Sequence, residues 1–504
     1  MEWSQTSILS KVLSPPRMLI GRWRPYRSLF TSLRVQACPL SFIVQLRKVL
    51  PMAKKAKKIK TKKGIALKIV NPNAAGIDIA SDELQVCVPA DRDADNNRCY
   101  GSYTKDLRLV CEYLRACRID TVAMESTGVF WVQPFRMLKE AGFDVILVNA
   151  RQVKGYSEKK TDEADAEWLM LLHSYGLLKA SYQPENLARM VRNLSRHREN
   201  ILDASAKAIQ HMQKSMELMN MKLTEAISDI TGKSGMAIIK AVLRGERSPQ
   251  KLAELADPRC KAAPDEIAAS LEGTWDDEHL FALGQSLDQY EFLQKQAKAC
   301  DLEIEKILIN YSAVCDTDMS KFVPCKKRIA KKNAVTIDVE KYAYSLWGVN
   351  MMQMPGVSTG GLLTLTGELG HNFTEKFESA DAFCRWLNLV PNNKISGGEV
   401  LSSKVPRRKN TAGQAFRQFA NSVKDSKTPL GYYFRRMKAH GGHKYAIVAT
   451  AHRMAKITYA MVSNKEEYDE KKSGPSEKEL LMKKIERTRK ALDKLNAKLL
   501  ESGG

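Results

Sequence analysis

Acid is what this chain is short of, and the shortage is uneven. Across 504 residues, 57 Asp and Glu face 80 Lys and Arg, a net charge of +23. An excess of that size points to a polyanionic partner, either nucleic acid or an anionic membrane surface. The first 51 residues hold one acid, Glu2, and 52–68 hold none. No apolar run reaches the roughly 18 residues of a membrane span, which argues against a transmembrane protein. The ten cysteines include no C-x-x-C pair, and the eight histidines show no ligand spacing beside them. That argues against both a disulfide framework and a zinc knuckle, and a reducing cytoplasm fits. His440 and His443, in HGGHK, read better as phosphate or water contacts than as a metal pair.

A chain of 504 residues exceeds one compact core, so several domains are expected. Residues 1–51 interleave arginine and serine as a mitochondrial presequence does. The plainer reading is a start codon set too early, because MAKKAKKIKTKKG from Met52 suits a genuine beginning, and 1–51 is set aside from the fold. The lysine-rich arm, 52–70, has the composition of a disordered segment that binds nucleic acid without specificity.

Order begins with AAGIDIA (74–80), read as a strand, then ELQVCVPA (83–90) as its hairpin partner and RCYGSYT (98–104) as a third strand. Helical spacing at 106–118, a buried strand at 120–126, a helix at 129–142 kinked by Pro134, a buried strand at 143–150 and a helix at 161–178 follow. The order β-β-β-α-β-α-β-α over 71–182 is that of an α/β, ribonuclease-H-like (RuvC-like) domain. Residues 183–340 read as an α-helical coiled coil with a helical insertion at about 230–285. One arm places Leu187, Val191, Leu194, Ile201, Ala208, Met212 and Met219 on an approximate heptad, interrupted at Arg198, Ser205 and Ser215. The other carries Leu293, Ala297, Cys300, Ile304 and Ile307, and the two pair within a chain or between subunits. Residues 341–465 form a mainly α C-terminal unit that opens on MPGVSTGG, a helix-hairpin-helix-like turn at Gly356 whose amides suit a backbone phosphate. A charged helical tail, 466–504, carries Leu481, Ile485, Leu492, Leu495 and Leu499 on one seam.

Four carboxylates stand out by position. Asp78 lies inside the apolar strand GIDIA and Glu125 ends the buried strand VAMES. Asp162 and Asp165, at i and i+3 in KTDEADAEW, share a helix face. An acid inside an apolar strand costs several kcal/mol unless paired or metal-bound. Any one of these acids alone reads as a turn, cap or solvated residue. In a ribonuclease-H-like order the first and fourth strands are neighbours and the last helix crosses them, so all four acids converge. Hard oxygen ligands of that kind select Mg²⁺ or Mn²⁺, the ions of phosphodiester chemistry. Far downstream, NLVPNNKISGGEVLSSKVPRRKN (388–410) sets Ser396 before Gly397 and Gly398, with Lys404, Arg407 and Arg408 close behind. That stretch is either a phosphate-binding surface loop or a nucleophile with room around it, and Ser402, Ser403 and Ser358 are competing hydroxyls.

GIDIA, AMESTGVFW and LVNARQVKGYSEKKTDEADAEWL resemble the N-terminal domain of DEDD insertion-sequence transposases related to the Piv DNA invertase. MPGVSTGG, WLNLVPNNKISGGE and AIVATAHRMAKITY resemble that family's C-terminal domain, so the likeness covers about 70–465. The resemblance implies an acidic metal-binding tetrad at Asp78, Glu125, Asp162 and Asp165 and a catalytic serine at Ser396. It also implies double-stranded DNA at the element ends and target, a structured bridge RNA as guide, and a tetramer built from dimers. In that tetramer one subunit's acids meet another's serine. A cytoplasmic, nucleoid-associated bacterial enzyme follows from it. Two other readings compete: a RuvC-like Mg²⁺-dependent junction nuclease without a covalent serine intermediate, and a non-catalytic nucleic-acid scaffold.

Overall fold

The computed structural model describes residues 68–502, apart from 127, 150–152, 154–160, 326–331, 407–409 and 475–476. The segment 1–51 and most of the lysine-rich arm lie outside the described residues. Strands β1 (Ala74–Ile79), β2 (Glu83–Cys87) and β3 (Asn97–Gly101) run antiparallel. β4 (Thr121–Glu125) and β5 (Asp144–Val148) join in parallel, giving the order β3-β2-β1-β4-β5 with β1 and β4 paired in the interior. Helices α1 (Thr104–Ala116), α2 (Val132–Glu140) and α3 (Asp162–Ser174) complete the unit. Pro134, expected to kink the second helix, sits in the first turn of α2, where its missing N–H breaks no helical bond.

The two faces of the sheet are built differently. One carries Ile77, Ile79, Leu84, Val86, Val122 and Met124, packed on Leu107, Val110 and Leu114 of α1 and Leu138 of α2. The other is lined by small buried side chains, among them Gly76, Cys87 and Ala123. Here α3 lies directly on the backbone of β1. A Cβ on Gly76 would stand 2.3 Å from the Ala166 carbonyl oxygen and 2.3 Å from the Met170 nitrogen, so this approach requires glycine.

From residue 186 the regular elements of the described chain are helices apart from one hairpin. α4 (Asn186–Leu218) and α9 (Asp277–Ser312) pack antiparallel, Arg198 meeting Asp301 and Ser205 meeting Gln294. Between them α5 (Leu223–Ala226), α6 (Lys233–Leu243), α7 (Pro249–Ala253) and α8 (Pro264–Ser270) close a separate core with Met212, Met216, Leu283 and Leu287. Arg198, Ser205 and Ser215 do not interrupt the helix seam as their polarity suggests; they are buried in it. Arg198 donates to Asp301 at 2.5 Å and to the carbonyls of Asn333 and Ala334, and Asp301 accepts from the Thr336 N–H and hydroxyl. The buried charges thus fasten the returning chain to the helix pair.

α10 (Val339–Trp347), α11 (Thr359–Leu369), α12 (Phe373–Lys376), α13 (Ala380–Trp386), α14 (Thr411–Ser422) and α15 (Pro429–Asn464) enclose a core around Trp347, Phe373, Phe383 and Phe416. Ala188 and Val191 of α4 and Ile304 and Leu308 of α9 belong to the same core, so a division at 340/341 runs through packed interior. Two consecutive residues tie this body to the sheet. The Ser181 N–H donates to the Leu147 carbonyl of β5 at 2.7 Å, and Tyr182 packs on Phe377 and Trp386 while its hydroxyl donates to the Leu369 carbonyl. The final helix, α16 (Glu477–Ser502), leaves Leu481, Ile485, Leu492 and Leu495 exposed. Among the described residues no helix is long and apolar enough to cross a membrane.

Candidate active site

Ile77 of β1 stands beside Met124 of β4, so one step further along these parallel strands Asp78 falls beside Glu125. Both side chains emerge on the small-residue face, because side chains alternate and Gly76 lies two positions back. The first turn of α3 crosses that face. The Thr161 hydroxyl caps the helix by accepting the Ala164 N–H at 3.3 Å, leaving Asp162 exposed and Asp165 half-buried in the turn. Asp78 registers the convergence. Its carboxyl is pushed up from 3.8 to about 6, first by burial and further by the charges of Asp162, Asp165 and Glu125, against a hydrogen bond from the Ile79 N–H.

The four carboxylates therefore share one electrostatic field, and as an all-oxygen donor set they fit a hard divalent cation. They stand open: among the described residues no three His, Cys, Asp or Glu side chains are gathered closely enough to hold a metal ion. The two observations differ in reach, since charges act over longer distances than coordination bonds.

Three residues that position the cluster escape a reading of the sequence. Gly76 sets how closely α3 approaches. Gln85, opposite Asp78 in the β1–β2 register and buried, donates to the Asn97 side-chain oxygen at 2.8 Å. Asn97 in turn donates to the Glu163 carbonyl at 2.9 Å, holding the first turn of α3 from the sheet edge. A glycine inside an apolar strand and a glutamine inside ELQVC are the local signals that mark the first two; nothing near Asn97 in the chain marks the third.

Ser396 lies elsewhere. It ends β6 (Asn392–Ser396), which pairs with β7 (Glu399–Lys404) across a two-residue turn. Gly397 and Gly398 have φ of 59° and 87°, as a turn of that handedness demands, and open space surrounds both. The stretch read as a surface loop or a roomy nucleophile is thus a hairpin, with a register shift between Lys394 and Ile395. Ser396 and Ser403 are exposed and Ser402 is half-buried. Ser358 has a structural role, capping α11 by accepting the Gly361 N–H at 3.2 Å. Among the described residues no hydrogen bond joins Ser396 to any of the four carboxylates.

A family model described as a transposase, of the DEDD IS110 type, matches residues 75–221, and one for the transposase IS116/IS110/IS902 family matches 349–432. The chain is an IS110-family DEDD transposase. The first match spans Asp78, Glu125, Asp162 and Asp165, and the second spans Gly356 and Ser396. A comparison with curated proteins finds no match. The family makes the protein a DNA transposase, hence a DNA-binding enzyme, and its DEDD domain suggests a divalent metal requirement.

The other residues expected to touch nucleic acid in the transposase are placed unevenly. Gly356 has φ of 89°, and a Cβ there would meet Val423 Cγ1 at 2.5 Å and the Phe419 carbonyl at 2.6 Å. Its positive φ and its close packing on Phe419 and Val423 both require glycine there. Lys404 is exposed at the end of β7. Arg407 and Arg408 lie outside the described residues.

Proposed function

We propose that the transposase excises and inserts its own element by strand exchange, with Ser396 as nucleophile and Asp78, Glu125, Asp162 and Asp165 as holders of Mg²⁺ or Mn²⁺. Asp78 carries the reading: burial and three nearby acids raise its carboxyl to about 6, and a bound cation would favour its charged form there. A divalent cation held there would offset that repulsion and polarise a bound phosphate. The chain's own part begins at Ser396. Its Oγ attacks a DNA phosphorus, a serine–phosphate ester forms, and the bond from phosphorus to the 3′ oxygen breaks. The serine gives up its proton and the departing 3′ oxygen gains one, leaving a free 3′-hydroxyl and a 5′-phosphate on the protein. Attack by another strand's 3′-hydroxyl reverses the step and joins the new partners. The exposed hairpin leaves a phosphate room to approach, with Lys404 at its end as a clamp, and Arg407 and Arg408, next in sequence, are proposed to share that role.

Among the described residues Ser396 makes no hydrogen bond to the four carboxylates, and the reading sets one subunit's serine against another's acids in a dimer or tetramer. A structured RNA that pairs with element and target is the proposed guide, Gly356 the proposed phosphate-contacting turn, and the nucleoid the proposed setting. Denaturing gels of reactions on element-end DNA test the nucleophile. Ser396→Ala is expected to lose the covalent protein–DNA adduct while still binding DNA; recombination at the wild-type rate would sink the assignment. The second reading is a junction nuclease that leaves cut ends and no adduct with either serine or alanine at 396.

A further inference from the structure

Between Asp425 and Glu466 the chain contains no acid but eight Lys and Arg. Almost all of that stretch is α15, which continues past residue 432, where the second family match ends. The helix is broken at Gly442, with φ of 81° and ψ of 179°, and residues 438–445 are exposed. Rings and cations alternate along its first half and this elbow. Tyr433 lies between the guanidinium groups of Arg436 and Arg453, at 5.3 and 4.7 Å, and Arg435 covers Tyr432 at 4.6 Å. On the elbow, His440 meets Tyr445 edge-on at 5.8 Å. Gly441 leaves room for that tyrosine, since a Cβ would come within 2.6 Å of its ring, and 47% of Tyr445 stays exposed.

Arg436, Lys438 and Lys444 have no carboxylate partner among the described residues. A solvated helix face normally mixes both signs; this one offers only cations, interleaved with rings. We infer that the α15 elbow binds a single-stranded or looped segment of nucleic acid, Lys438 and Lys444 taking phosphates and Tyr445 stacking on an unpaired base. A duplex would use the charges but leave the ring without a partner, since its bases are stacked on one another. RNA and single-stranded DNA share the required chemistry. The inference rests on the chain being a nucleic-acid enzyme and not on Ser396.

The test measures binding by fluorescence anisotropy on the full chain carrying Ser396→Ala, so the outcome at the nucleophile does not affect it. The probes are an RNA strand, the same sequence as single-stranded DNA, and its duplex. Lys438→Ala with Lys444→Ala is expected to weaken single-strand binding about 10-fold and to make its salt dependence shallower by about 1.4 for two lost contacts. Tyr445→Ala is expected to weaken it to a similar degree and Tyr445→Phe to restore it, with duplex binding unmoved by the ring. Lys295→Ala with Lys298→Ala, two exposed lysines on α9, is the charge control. Whether the loss is larger on RNA or on DNA identifies the natural strand. Elbow variants that melt like the parent and bind every single strand as tightly would overturn the inference, and so would a Tyr445→Ala loss confined to duplex.

Discussion

Gly76→Ala is the sharpest perturbation of how the carboxylates are assembled. The added methyl would sit 2.3 Å from two α3 atoms, where ordinary contact begins near 3.4 Å. Both are backbone atoms, so no rotamer change relieves the clash and α3 has to retreat by about 1 Å. The loss of packing costs about 1–3 kcal/mol. Asp162 and Asp165 ride on the first turn of the displaced helix, and a shift of roughly 1 Å at reacting groups is worth ~10²-fold in rate. Single-turnover cleavage of element-end DNA reads the chemistry, and thermal unfolding reads the packing. The expected variant melts a few degrees lower, binds DNA nearly as well, and cleaves about 100-fold more slowly. A Gly76→Ala protein that cleaves at the parental rate would refute the claim that α3 is held at this distance for catalysis.

The other expectations are narrower. Asp78→Asn removes a charge the fold resists: its folded value, about 6, lies above the unfolded 3.8, so the acid favours folding below pH 3.8 and loses that advantage as pH rises through about 6. The variant should therefore outlast the parent in EDTA at pH 7.5, by about 1 kcal/mol once solvent screening of this part-exposed group is allowed for. The margin should shrink toward pH 4 and Mg²⁺ should narrow it by stabilising the parent alone; equal melting at pH 7.5 would contradict the repulsion. Asn97→Ala strips Gln85 and the Glu163 carbonyl of partners, and about 1–2 kcal/mol with a ~10-fold loss of cleavage is expected; unchanged cleavage would make Asn97 merely structural. Asp301→Ala strands Arg198 inside the helix pair and should cost about 3–5 kcal/mol by urea unfolding, with Arg198→Met added to Asp301→Leu recovering much of it.

What the sequence made legible was local. Strand alternation and helical spacing gave the β-β-β-α-β-α-β-α order, and an acid in each of two apolar strands named Asp78 and Glu125 before any contact was known. What stayed hidden depended on distant partners. Gly76 needs α3, some 90 residues on, before its missing side chain has meaning. The β6–β7 hairpin escaped because all of β6 is exposed, so no apolar alternation marks a buried face. Its Gly-Gly turn is the available signal; it reads as room around Ser396, whereas the backbone uses it for handedness.

Arg198 and Asp78 presented the same anomaly, a charge where the pattern calls for an apolar side chain, and they resolve in opposite ways. At Arg198 the chain supplies its own answer, Asp301, with two carbonyls and a threonine completing the shell. At Asp78 the charges that act on the carboxyl, those of Asp162, Asp165 and Glu125, all have its own sign. Folding cannot have selected that arrangement for stability, because each added acid raises the cost of the first. A buried charge neutralised within its chain is architecture, whereas a carboxyl raised both by burial and by acids of its own sign is the environment functional sites share, and that difference makes the N-terminal acids a candidate active site.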